Sequence, residues 1–359
     1  MKLIIELLLI GIIALTLAFI LIPLLKKIAI VSGLVDKPNY RKIHAKPVPL
    51  VGGIAIVLSS TLALLISNTF MTGGMKHGII LGAGILLMIT GSIDDKMDVN
   101  PIYRLIIQVG CAYAMASTGT RITSFYGVFG IYDIAVIWQY LLTIIIITGV
   151  VNAFNLMDGV DGLAGGLAVV GLSTFSILSY IIGNYEYMLL FIALIGATLG
   201  FLKFNLSKDK IFLGDGGSLF LGFILVVSGI NIVEMAKPIE GINQPMILTL
   251  VIGIFLLPVL DSLRVYRNRI KEGVSPFTAD NNHIHHLFLL LGIGHKLTAI
   301  LIISSALLLL LFSFILINYF SLTLVLILGT IAFFWLTSIL ALNKNVKEWN
   351  IKIRKMEKE

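Results

Sequence analysis

The sequence predicts an all-α fold: a polytopic membrane bundle of about eleven transmembrane helices, with the N-terminus outside and the C-terminus in the cytoplasm. Three observations predict it. The 359 residues are 58% hydrophobic and only 13% charged, with a mean hydropathy of +1.03, whereas a soluble domain is about a quarter charged. Apolar segments recur at close to the ~20 residues that carry a helix across hydrocarbon. Lys and Arg collect in alternate loops, which sets an orientation.

The segments run at about 3–24, 50–69, 77–93, 102–120, 133–152, 162–183, 187–204, 217–236, 246–264, 297–317 and 320–341. They must be helices, because lipid offers no partner to unpaired strand backbone and no alternating barrel pattern is present. The first has no charge from Leu7 to Leu25 and is followed by Lys26 and Lys27. It is longer than a signal-peptide core and lacks a small-residue cleavage site, so it reads as a retained helix. One set of loops and the tail hold 22 Lys and Arg; the opposite set holds only Lys2, Lys76, Arg121 and Lys237. The rich set is therefore cytoplasmic. A single membrane-embedded domain over 1–359 follows. Its cytoplasmic loops lie at about 25–49, 94–101, 153–161, 203–216 and 265–296, and its short basic tail at 342–359. The net charge of +7 is first a topology signal, and no nucleic-acid partner is expected. The single cysteine, Cys111, excludes an intramolecular disulfide.

Ten of the eleven aspartates and five of the six histidines fall on the cytoplasmic side, with Asp133 and His77 the exceptions. The positive-inside rule says little about acidic residues, so the bias suggests a site. After the first span comes the loop from Asp36 to Pro49, where Arg41, Lys42 and His44 could meet lipid headgroups or a specific phosphate. Asp94, Asp95 and Asp98 end the third span. If that helix continues, Asp94 and Asp98 share a face. Three carboxylates at a helix C-terminus need a cation or proton, unless they form a solvated loop paired with Lys96 and Arg104. Asn152, Asn155, Asp158 and Asp161 recur every third position from the fifth span into the sixth. Such oxygens suit a hard cation. Capping would explain one or two of the four.

Gly214-Asp215-Gly216-Gly217-Ser218 opens the eighth span. A helix N-terminus of this kind seats phosphate. Asp215 would repel that phosphate unless Mg²⁺ sits between them. The bland reading is a tight turn with Asp215 or Ser218 as N-cap. Asp261 near the end of the ninth span would be costly facing lipid, so it faces the site or an arginine. Arg264, Arg267 and Arg269 follow; they bind phosphate or mark the membrane edge. His283, His285 and His286 could bind zinc only with a further ligand, and contact with pyrophosphate or uridine is the preferred reading.

In order, these motifs read Asp-Asp-x-x-Asp, Asn-x-x-Asn-x-x-Asp-Gly-x-Asp-Gly, Gly-Asp-x-Gly-Ser and His-x-His-His. The set resembles the polyprenyl-phosphate N-acetylhexosamine-1-phosphate transferases, the family of MraY, WecA and TagO, from Asp36 to His286 in motifs and to the end in span count. The resemblance implies transfer of a sugar 1-phosphate from a UDP-N-acetylhexosamine to a polyprenyl phosphate, with UMP released. The setting would be the cytoplasmic face of a bacterial or archaeal inner membrane. It implies Mg²⁺, with Mn²⁺ as substitute, on Asp215 and Asn155. Asp94 and Asp95 would assist the lipid phosphate, in a catalytic set completed by Asp98, Asp158 and Asp161. The nucleotide sugar would meet the His283–His286 segment, within a substrate-binding set of Asn152, Gly214, Ser218, Asp261, Arg264, Arg41, Lys42 and His44. Membrane lipids and a homodimer complete the expected partners. Ile284 interrupts the histidine run, as in the WecA/TagO branch, and this favours UDP-N-acetylglucosamine over UDP-N-acetylmuramoyl-pentapeptide. A transporter or flippase would place ionisable groups near the midplane, often with inverted repeats, whereas these acids sit at span ends. The Asp-Gly-x-x-Ala-Arg signature of CDP-alcohol phosphotransferases is absent, because Val160-Asp161 follows Asp158-Gly159.

Overall fold

Each of the eleven apolar segments becomes a helix, but two of these helices fall short of a full span. The structure is a computed structural model that describes residues 2–37, 46–72, 75–275 and 282–356. In chain order the helices are α1 (Lys2–Ser32), α2 (Gly52–Leu64), α3 (Asn68–Thr72), α4 (Met75–Met97), α5 (Pro101–Ser117), α6 (Val136–Asn155), α7 (Leu163–Ile181), α8 (Tyr185–Asn205), α9 (Gly214–Ala236), α10 (Gln244–Lys271), α11 (Ile284–Leu290), α12 (His295–Leu316) and α13 (Leu322–Met356). Among the described residues nine helices are long and apolar enough to cross a membrane. The molecule is a polytopic helical membrane protein.

The two short ones are α2, with 13 residues, and α5, with 17. The expected span at 50–69 divides because Ser67-Asn68-Thr69 is polar. The Glu6 carboxylate of α1 accepts hydrogen bonds from the hydroxyls of Ser67 (2.6 Å) and Thr69 (2.8 Å). The Ser67 hydroxyl accepts from Phe70 N–H at the start of α3. The α5 helix begins where Asn100 accepts from Ile102 N–H and Pro101 takes the first turn, a pairing of N-cap and proline with no lost backbone donor.

Helix α9 is apolar all round and nearly wholly buried, as expected of a central helix. It packs against α2, α4, α6, α7 and α10. The peripheral helices turn apolar faces outward: Ile4, Leu8 and Ile12 of α1 are exposed, as are Leu308 and Leu311 of α12. These are the lipid-facing surfaces. At one end of the bundle α9 is gripped without side chains between. A Cβ on Gly91 of α4 would come within 2.4 Å of Gly216 N, and one on Gly53 of α2 within 2.3 Å of Gly217 N. Only glycine permits that approach. Backbone hydrogen bonds from Gly52 and Gly53 to the carbonyls of Phe212 and Leu213 lock the starts of α2 and α9 together. A two-stranded antiparallel ribbon, Val35–Asp36 with Val48–Pro49, lies beside them. Residues 38–45, which hold Arg41, Lys42 and His44, are outside the described residues.

Candidate active site

The glycine crossings bring the acidic ends of three elements to one place. Asp94 and Asp95 arrive on the last turn of α4, Asp158 on the turn after α6, and Asp215 on the first turn of α9. They are electrostatic neighbours: Asp215 of Asp94, and both Asp95 and Asp158 of Asp215. Burial first, and then Asp215, Asp95 and Asp161, push the Asp158 carboxyl well above the ordinary carboxylate range. Asp158 keeps some surface exposure but is ringed by protein.

The N-terminus of α9 is not an open phosphate seat. Asp95 fills it, its Oδ1 accepting from Asp215 N–H at 3.1 Å while Oδ2 lies against Gly214. A carboxylate there is stabilised by the helix dipole. Neither Asp215 nor Ser218 caps α9; Leu213 precedes it without a side-chain cap. The Ser218 hydroxyl is buried and turned back on the carbonyls of Gly214 and Asp215, both at 3.2 Å.

A cation already lies among these acids. The Arg104 guanidinium of α5 donates to Asp94 Oδ2 and, at 2.6 Å, to Asp215 Oδ2. Asp94 Oδ1 accepts from Val99 N–H at 2.7 Å, which closes the turn after α4. That helix ends at Met97, and Asp98 adopts a left-handed conformation with φ 52°. The helix does not continue to Asp98, which is exposed just beyond its end.

Asn155 ends α6 and approaches Asp215. Its amide nitrogen is buried without a hydrogen-bond partner, as is Asp95 Oδ2. Among the described residues no three His, Cys, Asp or Glu side chains converge as a ready-made metal cage. Mg²⁺ needs none, since one or two carboxylates plus substrate phosphates suffice. The Asp95 and Asp215 carboxylates and the Asn155 amide oxygen are hard donors, so the set fits such an ion.

The other predicted residues have structural partners. Asn152 donates to Gln108 Oε1 of α5 at 2.6 Å and to Thr148 O at 2.8 Å. Asp161 pairs with Lys210 at 2.7 Å, tying the turn after α6 to the loop before α9. Asp261 is fully buried and does face an arginine, as its position in a span requires. It accepts from Arg264 (2.7 Å), from Ile284 N–H (3.1 Å) and, through its other oxygen, faces His283 Nδ1 (2.9 Å). Arg264 also donates to Asn282 O. The pair thus clamps the histidine segment onto α10. His283 and His285 are buried, their rings parallel with centroids 5.9 Å apart. His285 packs against Gly159, where a Cβ would meet its Nε2 at 2.3 Å. Burial and the neighbouring histidines lower His285 to about 3, so it is a neutral wedge and not a cationic anion contact. His286 is the half-buried member of the three.

The cluster opens onto a cavity of about 1110 Å³ between α5, α6, α9 and α10. Arg104, Asn152, Asn155 and Arg269 lie at its near end; the walls are apolar. Arg269 is 5% exposed and rests by Tyr266, its guanidinium carbon 5.6 Å from the ring centroid. Of the arginines on α10, this is the one that lines the cavity, while Arg264 serves Asp261. Leu105, Val109 and Leu263 line the cavity and are also exposed, so it opens sideways to lipid between α5 and α10.

The chain that builds this cluster beside an apolar channel has relatives. A family model described as glycosyl transferase family 4 matches residues 77–233, from α4 through α9. A probable undecaprenyl-phosphate N-acetylglucosaminyl 1-phosphate transferase of Bacillus subtilis (strain 168) is 34% identical over 81% of this chain and 79% of its own. The chain belongs to glycosyl transferase family 4. Undecaprenyl-phosphate alpha-N-acetylglucosaminyl 1-phosphate transferases of Yersinia pestis and Escherichia coli (strain K12) are 33% and 31% identical, each over 79% of this chain and 77% of its own. The family match spans Asp94, Asp95, Arg104, Asn155, Asp158 and Asp215, the whole of the acidic cluster and its cation. The histidine segment lies beyond it.

Proposed function

We propose that this protein transfers N-acetylglucosamine 1-phosphate from UDP-N-acetylglucosamine to undecaprenyl phosphate, releasing UMP. This is the initiating step of a cell-envelope glycopolymer. The observation that carries the reading is the placement of the acidic cluster at the mouth of a channel that opens to lipid. A polyprenyl tail fits an apolar channel, and its phosphate then meets Arg104 and Arg269. The relatives' names favour N-acetylglucosamine over the muramoyl-pentapeptide donor.

A phosphate oxygen of the lipid attacks the sugar-proximal phosphorus of the donor. The bond from that phosphorus to the bridging oxygen breaks, and UMP leaves with the electron pair. A phosphate monoester is already mostly ionised near neutrality, so the aspartates position and need not deprotonate. The difficulty is the meeting of two anions. Arg104 and Arg269 offset part of that charge. Asp215 and Asn155 would hold Mg²⁺, which would supply the rest by stabilising charge on the leaving UMP. The clamp of Asp261, Arg264 and His283 holds the histidine segment on α10, with His285 against Gly159, and in this reading the segment meets the nucleotide sugar. The Lys- and Arg-rich loops support a cytoplasmic setting for this face.

An exchange assay tests the reading. Purified protein with undecaprenyl phosphate, Mg²⁺, labelled UMP and UDP-N-acetylglucosamine is expected to move label into the nucleotide sugar. Absence of exchange with every UDP-N-acetylhexosamine overturns it. For orientation, cysteines at Lys208 and Lys237 in a Cys111-free protein are expected to label from opposite sides. Labelling from one side refutes the topology.

A further inference from the structure

At the end of the channel away from Arg104 the lining includes a carboxylate. Glu234 lies near the end of α9, nineteen residues beyond Asp215, or about 28 Å along the helix axis. It lines the cavity there with Ile122, Ser124, Phe125, Tyr126 and Val128. These residues belong to the connection between α5 and α6, which folds back as a strap across the channel. Phe125 N–H donates to Tyr132 O (3.0 Å), and Gly127 N–H to Ile131 O (2.8 Å).

Glu234 holds the strap down. One carboxylate oxygen accepts from Thr123 N–H (3.2 Å) and from the Tyr126 hydroxyl (2.9 Å); the other accepts from the Thr123 hydroxyl (2.8 Å). Lys237 pairs with Asp133 on the return arm at 3.2 Å. The tip is tied separately, with Phe129 N–H donating to Thr323 Oγ1 of α13 at 2.8 Å. Tyr126 and Phe129 both sit in the left-handed region, at φ 52° and 51°. Bulky residues persist there only when the surroundings fix them. A rigid, hydrogen-bonded wall with a carboxylate behind it cannot yield to a hydrocarbon chain without stranding the donors of Thr123 and Tyr126.

We propose that the strap at Phe125 and Tyr126, pinned to Glu234, is an end stop that gauges the length of the prenyl chain lying in the channel. This rests on the proposed reading of the acceptor as a polyprenyl phosphate. With its phosphate at Arg104 and Arg269, the chain fills the channel up to the strap. Any longer remainder leaves sideways between α5 and α10. The tail comes from lipid and not from water, so the discrimination is one of packing and steric fit, as between helices in a bilayer.

The test uses the full-length protein in nanodiscs with Mg²⁺, UDP-N-acetylglucosamine and a series of polyprenyl phosphates of increasing isoprene number. For the wild type, acceptor KM is expected to fall with each added unit until the chain reaches the strap, then to level off. Phe125→Ala deepens the channel and Tyr126→Phe loosens the pin. Both are expected to move the levelling point to longer chains and to change KM by about tenfold at the old limit, the low end of what an apolar pocket gives for a size mismatch. KM for UDP-N-acetylglucosamine stays unchanged. The same levelling point in wild type and both variants overturns the end stop while leaving the transferase reading intact. Failure of every polyprenyl phosphate as acceptor overturns both. Tyr126→Phe removes one hydroxyl and keeps the ring, so it guards against a Phe125→Ala protein that fails to fold.

Discussion

Replacing Arg104 with Gln separates its two roles, as the cation among the aspartates and as a phosphate contact. Its Nη1 lies 2.6 Å from Asp215 Oδ2 and also contacts Asp94. The side chains of Arg104, Asp94 and Asp215 keep 23%, 10% and 34% of their exposure, so solvent screens the group in part. Hydrogen bonds to charged groups contribute about 1.5–3 kcal/mol, and screening cuts the whole loss to about 1–3 kcal/mol. Metal-free Arg104→Gln protein is therefore expected to melt several degrees below wild type. Magnesium should act oppositely. A guanidinium and a divalent ion ~5 Å apart repel by about 7 kcal/mol at an effective dielectric of ~20. Even with solvent cutting that several-fold, relief of about 1.4 kcal/mol raises affinity tenfold. The assay is thermal unfolding in detergent across a Mg²⁺ titration, with turnover measured in parallel. The variant is expected to show a lower midpoint in EDTA, half-maximal stabilisation at about tenfold less Mg²⁺, and a reduced kcat. Arg104→Lys should resemble wild type in EDTA. Half-maximal stabilisation at an unchanged or higher Mg²⁺ concentration would refute the idea that arginine and metal compete for one position.

Three further outcomes follow from the same geometry. Asp215→Asn keeps size and makes no change to capping, because Asp215 caps nothing; turnover is expected to fall by ~10²–10³ or more with little loss of folded protein. Asp158 has its folded-state pKa above its unfolded one, so it contributes stability that is full below the ordinary carboxylate range and is lost as pH rises through the raised value. In EDTA, the wild-type midpoint should decline over that window, and Asp158→Asn should flatten the decline. Asp261→Asn would leave His283 and Arg264 without their shared carboxylate. It is expected to raise KM for the nucleotide sugar more than it changes KM for the lipid; equal effects on both KM values would count against the clamp.

The span pattern and the aspartates were legible because each is a local signal. A run of twenty apolar residues reads as a helix from composition alone, and carboxylates gathered at span ends stand out against it. The break after α2 was harder to see. Ser67-Asn68-Thr69 is a mild interruption in the sequence, and its meaning depends on Glu6, sixty-one residues away from Ser67. Arg104 was visible only as a possible partner in a polar loop, although a charge following Pro101 inside an apolar segment is itself a signal of function. Gln108 carries the same signal one turn further on, and it turns out to face Asn152. Arg269 could not be told from Arg264 and Arg267 without knowing which side of α10 meets the channel. Glu234 and the strap escaped notice because their hydrogen bonds join residues more than a hundred positions apart.

The glycines of the Gly-Asp-x-Gly-Ser motif acquire a different meaning once packing is known. Read alone, they suggest a phosphate seat at a helix N-terminus. In the structure Gly216 and Gly217 let α4 and α2 touch the backbone of α9, and that contact sets the distance between Asp95 and the helix N-terminus. A side chain at Gly91 or Gly53 would push apart the helices that carry Asp94, Asp95 and Asp215. Chemistry and packing are therefore the same requirement here. The acids repel one another, and only a crossing this tight, backed by the buried apolar length of α9, can hold them close enough for one cation to serve several. That closeness calls for counter-charge, and Arg104 supplies it from α5, the helix that also lines the channel. The Arg104 guanidinium thus sits where it reaches both the acids and the channel mouth.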